Sequence, residues 1–449
     1  MTRRCFMAAV AASPALVAQA TRPNVLLFLT DQETERVQRD LLKLPNRERL
    51  ERSGVRFTRN WCTTPQCSPA RSTLLTGRYP HRTGVLGNVG AAGGEPLRVA
   101  DNSLGDIFTK GGYRTGYFGK WHLSRGSRTG WEEHGFEATT SDGNSDAAIA
   151  DSASRWIEDS GEDPWLCVVS LIQPHDVYEY PRLAHLAALK DQQMPIRPGV
   201  RKPATTAADL DDRPRPQRQY NENDQGQVTS DYGPEDWQRY RSFYYDLIED
   251  ADRNLGKLLD AIEGSAIEGT DTIVLFTSDH GDGIGAHGLA FKGPFLYEEL
   301  LNVPLVISRP GHLKAGTTSD ALTTQADVLP TLCDLAGLPA PPDVDGQSLR
   351  PLLEQAGDWQ RGAIFSEYYS KQRWVNPARA VRTERWKLVE YLQDGRELYD
   401  LENDPHEARN LAGDPARHDV ELELLTLLDQ WAGETNDSLW FEHRPRELR

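Results

Sequence analysis

Val25-Leu26-Leu27-Phe28-Leu29-Thr30-Asp31-Gln32 is a continuous apolar run that follows Pro23-Asn24 and stops at an acid and an amide. A short run of this kind suits a strand buried on both faces of an α/β sheet. The carboxyl end of such a strand is where these sheets place ligands. A second run, Thr272-Ile273-Val274-Leu275-Phe276-Thr277-Ser278, stops in the same manner at Asp279-His280-Gly281. Taken singly, an acid after a strand is as well explained as a cap for the next helix. If the two strands lie near each other in one sheet, Asp31, Gln32, Asp279 and His280 converge. A mostly oxygen donor set suits a hard divalent cation, and Ca2+ tolerates mixed donors better than Mg2+.

Between the two runs stands Cys67-Ser68-Pro69-Ala70-Arg71-Ser72-Thr73-Leu74-Leu75-Thr76-Gly77-Arg78. The proline and the Thr-Gly break predict a loop leading into a short helix. A side chain at Cys67 then faces the free N–H groups of the helix N-terminus, where negative charge is favoured, and Arg71 can fold back beside it. That is an anion site with a reactive residue in it. A buried structural cysteine beside an ordinary arginine fits the local pattern equally well.

Cys67-x-Pro69-x-Arg71 followed by Thr76-Gly77 resembles the signature of the type I sulfatases, members of the alkaline phosphatase superfamily, in which the cysteine is converted to formylglycine. Other segments carry the same resemblance. Gly119-Lys120-Trp121-His122 closes a predicted strand, on which Lys120 and His122 alternate with Trp121 and share a face. Gln173-Pro174-His175-Asp176 closes the buried run 166–172, and Phe291-Lys292-Gly293 follows Asp279-His280. Trp386-Lys387-Leu388 and Glu397-Leu398-Tyr399-Asp400-Leu401 with Asp404-Pro405 resemble the family's C-terminal part, so the likeness spans nearly the whole chain after the first twenty residues.

The resemblance implies an alkaline phosphatase-like α/β fold, with a large mixed sheet between helices and a small C-terminal antiparallel-sheet domain. It implies hydrolysis of a sulfate ester by S–O cleavage, with Ca2+ held by Asp31, Gln32, Asp279, His280 and the product of Cys67. Many family members have two consecutive acids where this chain has Asp31-Gln32. By the same resemblance, formylglycine from Cys67 hydrates and one hydroxyl becomes the nucleophile. Lys120, Lys292 and Arg71 neutralise the sulfuryl oxygens or hold the nucleophile. His175 protonates the departing alcohol, and His122 takes a proton from the second hydroxyl, expelling sulfate. Asn88 joins the nucleophile's hydrogen bonds. The nearest alternative is a phosphonate monoester or phosphodiester hydrolase of the same superfamily, from which the Lys120-x-His122 pair separates it. A non-catalytic sulfoglycan-binding protein is the reading if Cys67 is not matured.

Residues 1–20 read as a signal peptide of twin-arginine type. Arg3-Arg4 precedes a short Ala-, Val- and Leu-rich run that ends at Ala18-Gln19-Ala20. The run is too short to anchor in a bilayer, and no other stretch is apolar enough to span one. An exported, periplasmic or extracellular protein is expected. Residues 21–338 are assigned to the catalytic domain and 339–449 to the small domain, after the Pro-rich stretch Leu338-Pro339-Ala340-Pro341-Pro342. Within the first, 176–233 is rich in Pro, Arg, Asp and Gln and reads as a mostly irregular insertion over the site mouth. A helix follows from Pro234, with Tyr240, Phe243, Tyr244, Leu247, Ile248, Ala251, Leu255, Leu258, Leu259 and Ile262 at helical spacing on its core face.

The 50 Lys+Arg against 67 Asp+Glu give a formal charge of −17. With no basic run, this argues against nucleic acid or an anionic membrane as partner. A small anionic substrate remains compatible, because long-range fields are screened over about 8 Å at physiological salt. Cys62, Cys67, Cys167 and Cys333 imply no simple disulfide framework, and Cys167 suits the core. Trp61, Trp121, Trp374 and Tyr178 lie near motif segments and suit packing on sugar faces or, equally for Trp121, packing in the core; with the long insertion they make a sulfated carbohydrate the expected substrate. A formylglycine-installing enzyme is the partner that the signature requires.

Overall fold

The computed structural model describes residues 22–90, 94–98, 102–125, 130–140, 145–265, 271–357, 359–371 and 374–448. The targeting segment read at 1–20 lies outside the described residues. Along the chain run β1 (Asn24–Asp31), β2 (Gly54–Phe57), β3 (Asn60–Trp61), β4 (Arg114–Gly119), β5 (Ala138–Thr140), β6 (Trp165–Pro174), β7 (Thr272–Ser278), β8 (Leu305–Ser308), β9 (Thr317–Ser319) and β10 (Thr323–Thr324). Among the described residues the large sheet has the order β5-β4-β6-β1-β7-β8-β2-β9. Its strands run parallel except β8, which is antiparallel to both neighbours.

β1 sits in the middle of this sheet because both of its faces are apolar. Val25, Leu27 and Leu29 enter one buried cluster with Leu329 and Leu332, while Leu26 and Phe28 enter another with Ala251, Leu255 and Leu258. Helices therefore cover both faces, as a continuous apolar strand demands. The long helix Pro234–Gly264 lies on the second face, and Asp236 accepts from the Gly233 N–H to fix its start at 2.8 Å. The register Asn24↔Thr272 through Thr30↔Ser278 delivers Asp31 and Asp279 side by side at the strand ends.

Segment 176–233 is not mostly irregular. It carries helices Tyr180–Ala188 and Arg215–Asn223 and the 3-10 turns Ala207–Asp212 and Gln225–Thr229. Two of its prolines, Pro181 and Pro216, expected to break structure, sit in the first turns of the helices, where a missing N–H removes no helical bond.

The second sheet contains β11 (Ile364–Lys371), β12 (Trp374–Arg382), β13 (Trp386–Tyr391) and β14 (Arg396–Asp400), antiparallel in sequence order. The helix His418–Thr435 packs Leu424, Leu425 and Leu428 on Val381, Leu388 and Leu398. The stretch between the Pro-rich segment and β11 belongs with the large sheet. Leu349 and Leu353 join the cluster under β1, and Arg361 pairs with Asp327. Among the described residues no helix is long and apolar enough to cross a membrane.

Candidate active site

The helix Cys67–Thr76 is buried along its whole length and stops at Gly77, whose φ of 69° and N–H to Thr73 O form the left-handed end that the Thr-Gly pair predicts. Cys67 is its first residue. The next N–H, of Ser68, donates to Asn88 Oδ1 at 3.1 Å, so Asn88 occupies the helix start beside the cysteine.

Around the Cys67 thiol the strand ends supply charge. Lys292 Nζ lies 2.9 Å from Sγ, Lys120 Nζ 3.5 Å and His280 Nε2 3.3 Å, while Asp31 Oδ1 is 3.9 Å away. Lys120 also pairs with Asp31 Oδ2. Arg71 turns away from the thiol and locks the two acids together. Its Nε donates to Asp279 Oδ2 at 3.0 Å and its Nη2 to Asp31 Oδ2 at 2.9 Å; Nη1 donates to Lys120 O and Ser170 Oγ, both at 2.7 Å. The alternation expected of Lys120 and His122 does not arise, because β4 ends at Gly119 (φ 103°) and His122 has φ 58°. A turn, not a pleat, brings Lys120 to the thiol and His122 to the pocket wall.

Asp31, Cys67, Asp279 and His280 place their ligand atoms within 4.8 Å of one another. His280 Nδ1 donates to Gly281 O at 2.9 Å, which leaves the Nε2 lone pair facing the cluster. Two carboxylates and an oriented imidazole fit a divalent cation. Gln32 stands at the edge of this group. Its Oε1 accepts from Lys292 at 2.9 Å and its Nε2 donates to Asp282 at 2.7 Å. The tyrosine stripe of the long helix does more than fill the core. Tyr244 donates to Gln32 O at 2.6 Å and Tyr240 to Asp282 at 3.0 Å, fixing the turn after β1.

The field follows from these contacts. Burial and Asp31 work to raise the Cys67 thiol, but Lys120, Lys292 and His280 pull it well below its usual range. Burial also opposes ionisation of Asp31, yet Lys120, His175, Lys292 and Arg71 hold it well below the usual carboxylate range. Asp279 is raised by burial and by Asp31. Burial, then Lys120, push His175 down to about 3.

Above the thiol opens a pocket of about 240 Å³ lined by Cys67, Asn88, His122, His175, Tyr178 and Lys292, with Gln66, Gln225, Tyr368 and Lys371 completing the wall. Tyr178 stacks on Phe291 with ring centres 4.0 Å apart. The other aromatics proposed as sugar platforms are not there. Trp61 and Trp121 are fully buried core residues, and Trp374 packs in a separate cluster with Tyr399. Sequence reasoning missed Ser170, Asp282, Gln66, Tyr368 and Lys371. Asp282, three residues beyond Asp279, was the one with a local signal.

Comparison with known proteins agrees with this geometry. The sulfatase family profile matches residues 23–338, and that of the N-sulphoglucosamine sulphohydrolase C-terminal region matches 285–434. A Delta 4,5-hexuronate-2-O-sulfatase of Bacteroides thetaiotaomicron is 30% identical over 444 residues, covering 93% of this chain and 90% of the relative. The solved structure of a 2-O GAG sulfatase superposes with TM-score 0.82 at 26% identity, covering 93% of each chain. Phosphonate monoester hydrolase of Agrobacterium radiobacter superposes with TM-score 0.75 at 25% identity, covering 92% of this chain and 96% of that one.

Proposed function

Since the chain belongs to the sulfatase family of the alkaline phosphatase superfamily and is a sulfuric ester hydrolase, we propose that it is an exported enzyme acting on a sulfated carbohydrate. In this reading Cys67 is matured to formylglycine by a formylglycine-installing enzyme. The observation that carries it is the gathering of Lys120, Lys292 and His280 on the Cys67 side chain at the floor of a small pocket. The carbohydrate part is supported by the relatives, two of which are named for action on hexuronate and GAG sulfates.

Asp31, Asp279 and His280, with Gln32 beside them, would hold a divalent cation, Ca2+ by the hardness of its oxygen donors. When bound, such a cation lowers the cost of ionising a hydroxyl on residue 67. Lys120 and Lys292 bind the sulfuryl oxygens, where fixed cations are worth roughly 10²–10³ in rate each. Arg71 keeps Asp31 and Asp279 in register beneath them. His175 gives its proton to the departing alcohol as the S–O bond breaks. A sulfate ester seated between the two lysines brings the negative charge that lifts His175 from its low value. His122, whose Nδ1 has no described partner, accepts the proton that residue 67 gives up when sulfate leaves. Asn88 keeps the helix start in place.

The phosphonate-cleaving alternative shares much of this frame; Lys120 on the thiol and His122 in the pocket favour sulfate. Intact mass of the exported protein tests maturation, with a loss of about 18 Da expected at Cys67. Turnover of sulfated saccharides, an aryl sulfate and a phosphonate monoester should then be lost in Cys67→Ala. An unshifted mass with full activity in that variant would overturn the reading; an unshifted mass with binding but no turnover would make this a binding protein.

A further inference from the structure

The small sheet reaches into the pocket. Both Tyr368 and Lys371 of β11 line it, although residues three apart on a regular strand point to opposite faces. The register of β11 on β12 shifts between Tyr368 and Ser370, and this bulge turns both side chains the same way.

Lys371 is almost buried, with 11% of its side chain exposed. Its ammonium lies over the Tyr220 ring, 4.2 Å from the centre, and meets Asp224 Oδ1 and Lys292 O, both at 3.3 Å. An ammonium has three donors, and the two described oxygens take two of them. Burial pulls this lysine down to about 8 in spite of Asp224, with Lys292 adding to the fall. Asp224 is its one described carboxylate, and the neighbouring ammonium of Lys292 repels it. The Tyr368 hydroxyl and Gln66 Oε1 line the same pocket, are buried, and have no described hydrogen-bond partner. Buried polar atoms left unmade cost free energy that a ligand recovers. The volume of about 240 Å³ falls below the range of about 300–1,000 Å³ for drug-sized ligands. It suits one sugar ring rather than a stretch of chain.

We propose that Lys371 and the Tyr368 hydroxyl bind a second anionic substituent, a carboxylate or a further sulfate, on the same terminal sugar that carries the scissile sulfate. The proposal rests on the sulfatase reading above and narrows it to a doubly anionic monosaccharide unit taken from a chain end. Lys292 holds the reacting sulfate from the floor, and Lys371 holds the second anion from the wall. Sulfated sugars without a second anion leave Lys371 with Asp224 as its one described carboxylate and bind more weakly.

The test compares three substrates: a sulfated uronate, its carboxyl-reduced counterpart, and a disulfated hexosamine. Lys371→Met keeps an unbranched side chain of similar bulk without the charge, and Tyr368→Phe removes only the hydroxyl. Lys371→Met should raise KM for one or both doubly anionic substrates about tenfold or more, as expected for a charge-assisted hydrogen bond. The carboxyl-reduced substrate should change by less than about twofold, and Tyr368→Phe should act in the same direction more weakly. Which doubly anionic substrate responds tells carboxylate from sulfate. Equal losses on all three substrates, or none, overturn the proposal. If the wild type hydrolyses none of them, the sulfated-carbohydrate reading above fails by itself. Titration with the unsulfated uronate and its neutral counterpart then decides: selective loss of uronate binding in Lys371→Met upholds the subsite, and unchanged binding overturns it.

Discussion

Arg71→Met is the substitution that tests how the site is held. The guanidinium is buried and makes four hydrogen bonds, two to carboxylates. Without it Asp31 Oδ2 keeps Lys120, but Asp279 Oδ2 has no other described donor. Removing one member of a buried ion pair costs about 3–5 kcal/mol. At roughly 2–4 °C per kcal/mol for a large domain, the melting temperature should fall by roughly 6 to 20 °C. The assay is thermal and urea unfolding after exhaustive chelation, so that no bound cation stands in for the guanidinium. Asp279→Asn supplies the second arm of a cycle. Asp279 Oδ1 accepts from the N–H groups of Gln32 and His280, at 3.0 and 2.8 Å, and an amide oxygen can keep both bonds. Its NH2 would then oppose Arg71 in the single variant but nothing in the double. The double variant should therefore be more stable than the sum of the singles by about 1–3 kcal/mol. A loss under about 1 kcal/mol in Arg71→Met, or strict additivity, would refute the idea that this guanidinium holds the acids in register.

Three further outcomes are expected. Chelation should abolish turnover while the far-UV circular dichroism stays unchanged, and Ca2+ should restore it; full activity after confirmed metal loss sinks the cation assignment. Burial lifts the Asp146 carboxyl from 3.8 to about 6, against the pull of the Ile172 and Gln173 N–H groups. Its folded value being raised, the stabilisation is complete below pH about 4 and is lost as pH rises through about 6, up to about 3 kcal/mol. Stability measured in urea from pH 4 to 7 should fall more in the wild type than in Asp146→Asn, and parallel curves contradict this. In Gly119→Ala, a Cβ would lie 2.0 Å from Ser170 O at a φ of +103°. At least about 2 kcal/mol of stability should go, and kcat/KM below the melting point should fall as Lys120 shifts; wild-type values for both would show that the turn is not strained as described.

The parts of the fold legible in the sequence were those fixed by local burial. β1 and β7 are apolar on both faces, so their place in the sheet interior and the meeting of Asp31 with Asp279 follow from period and termination alone. The helix Cys67–Thr76 was legible from its proline and its glycine stop. Segment 176–233 was misread because proline was weighed as a breaker without regard to position. In the first turn it starts a helix as readily as it ends one.

The site divides along the same physical line. Lys120, His175, Lys292 and His280 each follow a buried strand or motif, and a side chain just past a strand end has one direction in which to go. Lys371 and Tyr368 come from a sheet whose strands carry mixed faces, and their direction depends on a register shift that no residue pattern announces. Arg71 shows the intermediate case. Its presence near the cysteine was readable, but its four partners are spread from residue 31 to residue 279. Only the folded sheet decides that the guanidinium faces the acids, leaving Lys120 and Lys292 beside the Cys67 thiol. The ammonium groups, with rotatable point charges, suit a tetrahedral anion that arrives and departs. The planar fork of arginine suits two carboxylates that stay where they are.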